Sequence, residues 1–464
     1  MSFWRRLFQA RSHLAFFVGL LLALAIMRAV DRALPPPPQG AQPQAQLPPG
    51  SPVLTQRVPL SPQAARAIDP GPLPEERAPA TALTAAQQRL ARDAWSYFER
   101  NTRESGLVDS VDGFPSTTLW DLGSSMMAAI AARELGLIDE LALTKRMGRL
   151  LDSLARAKLV AGTLPNRGYD TRTVTPVDYD GKPLAAGHGG WSALDLGRFG
   201  VPLEILAWRA PALSGRIRAL LSRWQLEAAT QGGELQGGEL KEGAVVRSQE
   251  GRLGYEQYAA ASLSLLGLDV ARARDFRRHL LPVAVSGQLV PSDDRAPAQH
   301  GGAQNPVLSE PWILLGLELG LDDDSRPLAR AVLLAQEARA KQTGLLTAVS
   351  EDNLDRAPFF VYATVLDDGQ PWRVYDAQGR DQPSLRTLST KAALGWAALF
   401  QGAYVERLET AAEEASMEGK GLYSGRYEQG SGFNQAMTAN TCGIALEALA
   451  YRLRGPLLRT ARRP

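Results

Sequence analysis

A tryptophan followed by an aspartate and then a glycine occurs twice in the chain. The first occurrence pairs Trp120 with Asp121, and the second pairs Trp191 with Asp195; each aspartate has a glycine two residues later. An indole is a flat apolar surface on which a sugar ring can stack, and a neighbouring carboxylate can bind hydroxyls or transfer protons. The recurrence predicts one shared pocket, and these residue types favour a carbohydrate ligand.

Hydrolysis of a glycosidic bond ordinarily uses two carboxyl groups, one protonated and one ionised. Asp121 and Asp195 lie at predicted helix starts, where the helix dipole stabilises negative charge, so we expect both to be ionised. Glu256 lies between two tyrosines, an apolar setting that favours a protonated carboxyl, and Glu310 begins another predicted helix. The sequence therefore predicts Glu256 as the proton donor, with Asp195 or Asp121 as its ionised partner and Glu310 as a second candidate for the acid. The alternative for each is a charge that caps a helix.

Aromatic and polar side chains in the predicted loops and helix starts are candidates for binding the sugar. Arg198 follows Asp195 by about one turn and could orient that carboxylate through paired hydrogen bonds. The alternatives are core packing for the rings, and turn formation or solvated charge for the polar residues. The candidate substrate-binding residues are Trp120, Trp191, Arg198, Tyr255, Tyr258, Trp312, Asn166, Tyr169, Glu351, Asp352, Asn434 and Asn440.

Composition excludes several classes of function. The net charge is only +2, with acidic and basic residues intermixed, which argues against a nucleic-acid-binding surface. Cys442 is the single cysteine, so no internal disulfide can form, and the four histidines are not paired at metal-ligand spacing. No glycine-rich phosphate loop occurs in the sequence. We therefore expect neither a metal nor a cofactor.

The amino terminus has the pattern of an export signal. Arg5, Arg6 and Arg11 precede an apolar run over residues 14–27, which orients the rest of the chain across a membrane. We interpret residues 1–32 as a transmembrane anchor, with a cleaved signal segment as the alternative. Residues 33–83 are rich in Pro, Gln and Ala, and we expect a disordered linker. The prediction is a periplasmic domain tethered to the inner membrane, or a secreted one after cleavage.

Helical periodicity dominates from residue 84 onward. We predict twelve amphipathic helices over residues 84–458, paired by short turns and separated by longer connections. Their predicted bounds are 84–101, 121–135, 139–156, 192–209, 212–228, 254–266, 269–281, 308–319, 325–341, 386–400, 402–418 and 436–454. Such a pattern is typical of an all-α (α/α)6 toroid of six helical hairpins, in which the long loops form a rim. A strand-like run within residues 342–370 predicts a small hairpin on that rim. A helical solenoid and two separate bundles are the alternatives, but the sequence shows no regular repeat.

Seven short motifs are spread along the predicted helical domain. They are Gly106-Leu107-Val108-Asp109, Thr117-Thr118-Leu119-Trp120-Asp121, Trp191-Ser192-Ala193-Leu194-Asp195-Leu196-Gly197-Arg198, Gly254-Tyr255-Glu256-Gln257-Tyr258-Ala259-Ala260, Thr347-Ala348-Val349-Ser350-Glu351-Asp352, Leu388-Ser389-Thr390-Lys391 and Ala439-Asn440-Thr441. Together these motifs resemble the bacterial domain-of-unknown-function family 3131 over residues 88–456. The resemblance implies an (α/α)6 toroid related to glucoamylase-like and β-1,2-glucan-degrading glycoside hydrolases. Cys442 departs from the family pattern, in which a second asparagine would follow Asn440.

The leading hypothesis is an exported, membrane-anchored glycoside hydrolase acting on a bacterial envelope or secreted glucan, with β-1,2-glucan suggested by the resemblance. Its expected partners are an oligo- or polysaccharide, the inner membrane and the envelope polysaccharide machinery, but no nucleic acid. One alternative is a non-catalytic glycan-binding subunit of a polysaccharide synthesis or export system. Another is a polysaccharide lyase, in which Tyr255 abstracts a proton and Arg198 or Arg247 neutralises a uronate.

Overall fold

The helices of this chain alternate between two kinds of surface. In the computed structural model, which describes residues 74–297, 303–430 and 432–458, each predicted helix corresponds to an observed one. In chain order they are α1 (Ala85–Asn101), α2 (Leu119–Glu134), α3 (Glu140–Arg156), α4 (Ala193–Arg209), α5 (Ser214–Arg223), α6 (Tyr255–Leu265), α7 (Ala271–Arg274), α8 (Glu310–Leu314, continued by a π-helical turn, Leu315–Leu319), α9 (Ser325–Thr343), α10 (Thr390–Leu399), α11 (Ala403–Glu413) and α12 (Ala439–Arg454).

The even-numbered helices form a closed inner ring. Each packs against the next even-numbered helix, and α12 returns to pack against α2. Every residue of α10 is buried, as expected for a helix with neighbours on all sides. The odd-numbered helices are amphipathic and cover the ring from outside; α3, for example, buries Leu143, Met147, Leu150 and Leu154 at helical spacing. The described residues therefore form the (α/α)6 toroid that the sequence predicts.

The glycine in each Trp-Asp-Gly segment allows two inner helices to approach closely. A Cβ on Gly123 would lie 2.4 Å from Cγ of Arg198, and a Cβ on Gly197 would lie 2.4 Å from Cβ of Ala259. Both distances are far below van der Waals contact, so a larger residue would push α2 from α4 or α4 from α6. The repetition of this motif therefore has a packing cause as well as any role in binding.

The expectation of an all-α chain is wrong at one end of the barrel, where the connections form small antiparallel sheets. The predicted helix near residues 269–281 is a single turn, α7, and a hairpin follows it. The hairpin predicted within residues 342–370 is a three-stranded sheet. The strands are β1 (Ser116–Thr118), β2 (Leu159–Val160), β3 (Leu164–Pro165), β4 (Gly168–Asp170), β5 (Pro176–Val177), β6 (Gly190–Trp191), β7 (Thr230–Gln231), β8 (Glu234–Lys241), β9 (Ala244–Gln249), β10 (Leu280–Val285), β11 (Gln288–Asp293), β12 (Pro306–Val307), β13 (Glu351–Asn353), β14 (Phe360–Ala363), β15 (Leu366–Asp367), β16 (Gln370–Pro371), β17 (Val374–Asp376), β18 (Thr387–Ser389), β19 (Ser416–Met417), β20 (Gly421–Leu422), β21 (Gly425–Tyr427) and β22 (Phe433–Asn434).

Short strands lead into the inner helices. Strand β1 ends at Thr118, which is the N-cap of α2, and β6 is followed by Ser192, which is the N-cap of α4. Strand β18 likewise runs directly into α10. Because a strand fixes the chain up to the helix start, the side chains of the first helical turn are held at defined positions.

The amino-terminal predictions lie largely outside the described residues. The anchor predicted for residues 1–32 and the linker up to residue 73 are not part of the described structure. Residues 74–83, which we assigned to the linker, contact the domain: the Arg77 amide donates to the Leu399 carbonyl at 2.8 Å and the Ala80 amide to the Arg452 carbonyl at 2.6 Å. Within residues 74–458 as described, no helix has the length and apolar character that a membrane span requires.

Candidate active site

The first turns of all six inner helices contribute side chains to one cluster at the strand-rich end of the barrel. Direct contacts join five of these helices, and the sixth, α4, packs between α2 and α6 with Asp195 in its first turn. A closed ring of helices that begin at the same end explains how residues more than 300 positions apart come together. The contributing residues are Trp120 and Asp121 from α2, Asp195 from α4, Tyr255 from α6, Glu310 from α8, Lys391 from α10 and Asn440 from α12.

Glu310 is the buried centre of this cluster. Its Oε1 accepts a hydrogen bond from the Trp120 indole at 3.1 Å and another from the Asn440 amide at 2.9 Å. Its Oε2 forms an ion pair with the ammonium of Lys391. With only 1% of its surface exposed, Glu310 connects four helix starts rather than facing the solvent.

Lys391 is a buried cation among carboxylates. Its ammonium pairs with Glu310 and lies 3.8 Å from Oδ1 of Asp352. Burial opposes the charge, but the nearby carboxylates of Glu310, Asp352 and Glu351 outweigh it and raise the pKa of Lys391. For Asp352, burial raises the pKa to about 6 against the opposing effect of Lys391. The Lys391 side chain therefore remains charged and compensates the buried acids around it.

Glu351 is half-buried beside this centre. The Tyr255 hydroxyl donates to its Oε1 at 2.7 Å. Burial, followed by the negative charge of Glu310, raises the pKa of Glu351 to about 8. Near neutral pH the carboxyl is mostly protonated and can donate a hydrogen bond to a ligand.

Asp121 is a half-buried carboxyl whose charged form has hydrogen-bond donors. Its Oδ2 accepts from the hydroxyls of Ser110 at 2.5 Å and Thr118 at 2.7 Å. Burial raises the pKa of Asp121, and these two hydrogen bonds oppose the rise. Thr118 also caps α2 by accepting the Asp121 amide at 3.0 Å, so Asp121 is not itself the cap.

Asp195 does not have the ionisation that we expect from its position at a helix start. Burial and the adjacent carboxylate of Glu250 raise its pKa to about 8, while Arg167 opposes the rise. The helix start is already satisfied by other groups: Ser192 accepts the Asp195 amide at 3.1 Å, and Glu250 accepts the Ala193 amide at 2.6 Å. Because Glu250 sits at the positive end of α4, Asp195 experiences a second negative charge there rather than unpaired N–H groups.

The cluster has a buried part and a half-exposed part. Strand β13 adds Glu351 and Asp352 to the residues from the helix starts. The buried members are Glu310, Asp352, Lys391 and Asn440. The members partly accessible to solvent are Trp120, Asp121, Asp195, Tyr255 and Glu351. The accessible part combines carboxyls with aromatic rings: Tyr255 meets the Trp120 ring edge-on at a centroid distance of 5.4 Å. Such a surface can stack against one face of a sugar and hydrogen-bond its hydroxyls.

The contacts of Glu256 count against its predicted role as the proton donor. Both of its oxygens face the guanidinium of Arg295, at 2.5 and 3.3 Å, and Oε1 also accepts from Gln249 at 3.0 Å. Burial raises the pKa of Glu256 and Arg295 opposes this. Adjacent helical residues differ in direction by about 100°, so Glu256 faces the Arg295 loop while Tyr255 faces the cluster.

Arg198 and Tyr258 belong to a buried network beneath the cluster rather than to a binding surface. The Arg198 guanidinium pairs with Glu318 and with Glu447, the latter at 2.7 Å, and donates to the Tyr258 hydroxyl at 2.8 Å. The side chains of Arg198, Glu318 and Glu447 are fully buried. The predicted pairing of Arg198 with Asp195 is therefore corrected: one turn along α4 carries Arg198 into the barrel interior.

Two of the three predicted indole platforms are core residues. Trp191 is 1% exposed and donates to the Gln236 carbonyl at 3.2 Å. Trp312 is also 1% exposed and stacks on Phe276 at 6.0 Å. Neither ring can receive a sugar, which leaves Trp120 as the platform among the three.

Three predicted rim residues stabilise loops. Asn166 is buried, donates to the Gly168 and Val177 carbonyls and accepts the Gly190 amide, so it holds three chain segments together. Tyr169 is fully buried. Asn434 is also buried and accepts the Asp355 amide at 2.9 Å. Asn440, in contrast, reaches Glu310.

Lys391 and Glu250 are not among the site residues predicted from the sequence. Lys391 lies in one of the motifs given above. The predicted helix begins at residue 386, whereas α10 begins at Thr390. The prediction therefore does not place Lys391 in the first turn of a helix. Among the described residues, His279, Asp293 and Asp294 each place a possible ligand atom within 4.8 Å of the others. Asp293 already pairs with Arg295 at 2.5 Å, so we assign no metal to this group.

Residues 89–455 match the model of a protein family described as "Protein of unknown function (DUF3131)". The chain belongs to the DUF3131 family. No curated protein matches it.

Solved structures share the fold of this DUF3131 protein at low sequence identity. An endo-β-1,2-glucanase from Chitinophaga pinensis has a TM-score of 0.59 and 14% identity, covering 82% of this chain and 96% of that one. An endo-β-1,2-glucanase from Talaromyces funiculosus has a TM-score of 0.53 and 13% identity, covering 81% and 85%. A proposed glucoamylase from Bacteroides caccae has a TM-score of 0.56 and 13% identity, covering 81% and 95%. These similarities establish the fold.

Proposed function

We propose that the protein is a glycoside hydrolase acting on a neutral glucan, with Asp195 as the proton donor and Asp121 as its ionised partner. The observation that carries the proposal is the difference between these two half-exposed carboxyls at neighbouring helix starts. Two hydroxyls donate to Asp121 and stabilise its charge. A second carboxylate, Glu250, lies beside Asp195 and contributes to a pKa of about 8. Carboxyls in contrasting environments commonly divide the acid and base roles.

The chemistry assigns one task to each group. Asp195 transfers its proton to the glycosidic oxygen as the bond between that oxygen and the anomeric carbon breaks. Asp121 carries the negative charge that the positively charged transition state requires. Water supplies the hydroxyl that adds to the anomeric carbon and the proton that returns to the enzyme.

The surrounding residues support a neutral sugar as the ligand. Trp120 offers the face of its ring, and Tyr255 with Glu351 offers hydroxyl-binding groups next to it. The accessible acids disfavour a uronate. Arg198, one of the two arginines that the lyase alternative offers as a counter-charge, is fully buried between Glu318 and Glu447. The similarity of the fold to two endo-β-1,2-glucanases makes β-1,2-glucan the first substrate to test. We propose an envelope or secreted glucan because of the export pattern in residues 1–32.

A panel of purified glucans tests the proposal. The protein is expected to release reducing ends from at least one glucan, and Asp195→Asn and Asp121→Asn are each expected to slow that release by about a hundredfold or more while retaining the fold. Asp323→Asn is a matched control, because Asp323 is an exposed aspartate at the start of α9. Binding of a glucan without any release of reducing ends would contradict the hydrolase and favour a non-catalytic glycan-binding subunit.

A further inference from the structure

One face of the sheet formed by β13, β14 and β17 borders the candidate active site. Glu351 on β13 pairs directly with Tyr362 on β14, which pairs with Tyr375 on β17. Side chains of directly paired residues project from the same face of a sheet. Tyr362 therefore stands next to Glu351. Its ring stacks on Tyr375 at a centroid distance of 5.2 Å, which fixes its orientation.

A second tyrosine reaches the same region from a different connection. Tyr179 lies at the tip of the turn that extends β5, where the Asp178 amide donates to the Lys182 carbonyl and the Gly181 amide donates to the Asp178 carbonyl, both at 3.0 Å. Gly181 has φ +75°, and a Cβ there would lie 2.8 Å from the Phe114 ring, so the turn is closely braced. Tyr179 is 68% exposed on this braced turn.

Asp195 lies within electrostatic range of both tyrosines. The hydroxyl of Tyr179 interacts electrostatically with the carboxyl of Asp195. Burial raises the pKa of Tyr362, followed by the charges of Glu351, Tyr179 and Asp195. The two tyrosines thus come from separate loops and converge next to the same carboxyl.

We propose that Tyr179 and Tyr362 form a sugar subsite next to Asp195, in which the Tyr179 ring stacks on a neutral hexose and the Tyr362 hydroxyl hydrogen-bonds it. The inference rests on the proposed function for the role of Asp195. Both are binding residues, and neither takes part in proton transfer. The exposed ring of Tyr179 gains apolar contact when a hexose covers it, whereas Tyr362 is already held by Tyr375 and presents its polar end.

Variants at both positions test the subsite. Tyr179→Ala is expected to raise the KM for a glucan substrate about tenfold, which corresponds to the loss of about 1.4 kcal/mol of aromatic contact. Tyr179→Phe keeps the ring and is expected to have the KM of the unmodified protein. Tyr362→Phe removes the hydroxyl and is expected to raise the KM severalfold. The control is Trp208→Ala, since Trp208 is 58% exposed and lies about 20 Å along α4 from Asp195.

A binding measurement separates this inference from the proposed function. Calorimetric titration of β-1,2-gluco-oligosaccharides into the Asp195→Asn protein, with and without Tyr179→Ala, measures affinity without turnover. A weaker Kd with Tyr179→Ala supports the subsite even if the unmodified protein hydrolyses no glucan, an outcome that would contradict only the proposed function. If the unmodified protein hydrolyses a glucan but Tyr179→Ala matches Trp208→Ala in both KM and Kd, the subsite is wrong and the hydrolase stands.

Discussion

The indole of Trp120 donates a hydrogen bond to the buried carboxylate of Glu310 at 3.1 Å, joining two helix starts that lie 190 residues apart in sequence. The indole N–H is therefore occupied, so the half-buried ring of Trp120 can contribute apolar contact to a ligand but no hydrogen bond. This contact also explains why Glu310 is a structural centre rather than an accessible acid.

Trp120→Phe keeps a ring but removes the donor to Glu310. We expect it to lower the free energy of unfolding by about 1.5–3 kcal/mol, the usual cost of losing a hydrogen bond to a charged group. Trp208→Phe is the matched control, because its indole donates to Glu204 at 2.9 Å on the exposed surface, and it should cost little. Urea unfolding measures the change in the free energy of unfolding for both variants. Equal changes would contradict the central position of the Trp120–Glu310 contact.

Lys391→Met leaves Glu310 and Asp352 buried without their cation. We expect a loss of roughly 3–5 kcal/mol in the free energy of unfolding, typical of breaking one side of a buried ion pair. The double variant Lys391→Met/Glu310→Gln should recover part of that loss, because one uncompensated charge is removed. Lys341→Met, which removes an exposed pair with Glu337, should cost under about 1 kcal/mol. A Lys391→Met protein as stable as Lys341→Met would disprove the charge compensation.

The raised pKa of Asp195 makes folding stability depend on pH in a defined direction. Its folded-state pKa is about 8 against an ordinary value of 3.8, so between these values the folded protein binds more protons than the unfolded chain. The contribution of this group to stability therefore falls as pH rises from about 4 to about 8. Asp195→Asn should raise Tm relative to the unmodified protein at pH 8–9 and change it little near pH 4. A Tm difference that is independent of pH would rule out the shift.

The pH profile of kcat/KM should also show a decline at alkaline pH, here called the alkaline limb. If Asp195 donates the proton, kcat/KM should fall as pH rises through about 8. Glu351 has a similar pKa of about 8, so its variant decides which group is responsible. Glu351→Gln is expected to retain the alkaline limb with a higher KM, whereas Asp195→Asn is expected to lose activity. Loss of the limb in an active Glu351→Gln protein would transfer the acid role to Glu351.

The fold could be read from the sequence because helical periodicity and turn residues are local signals. The inner and outer helices follow from them, as does the place of Trp120 and Asp121 at a helix start. The identity of the buried groups could not be predicted this way. Arg198 follows Asp195 by one turn in sequence, yet its partners Glu318 and Glu447 lie on distant helices.

The ionisation of Asp195 likewise depends on a residue that is distant in sequence. Its position in the first turn of α4 predicts a stabilised negative charge, but Glu250 reaches that helix start from 57 residues away and accepts the Ala193 amide. The small sheets at the strand-rich end of the barrel place residues of the long connections, such as Glu250, next to the helix starts. Tyr179 and Tyr362 are further examples, since neither has a sequence pattern that separates it from an ordinary loop or strand tyrosine.

The most direct test of the account is the initial rate of reducing-end release by Asp195→Asn on the best substrate of the glucan panel, measured near pH 6 beside the unmodified protein and Asp323→Asn. The account predicts that Asp323→Asn matches the unmodified protein and that Asp195→Asn, folded and still binding the glucan, is slower by about two to four orders of magnitude, the usual contribution of general acid catalysis. A rate for Asp195→Asn within a few-fold of the unmodified protein would contradict it.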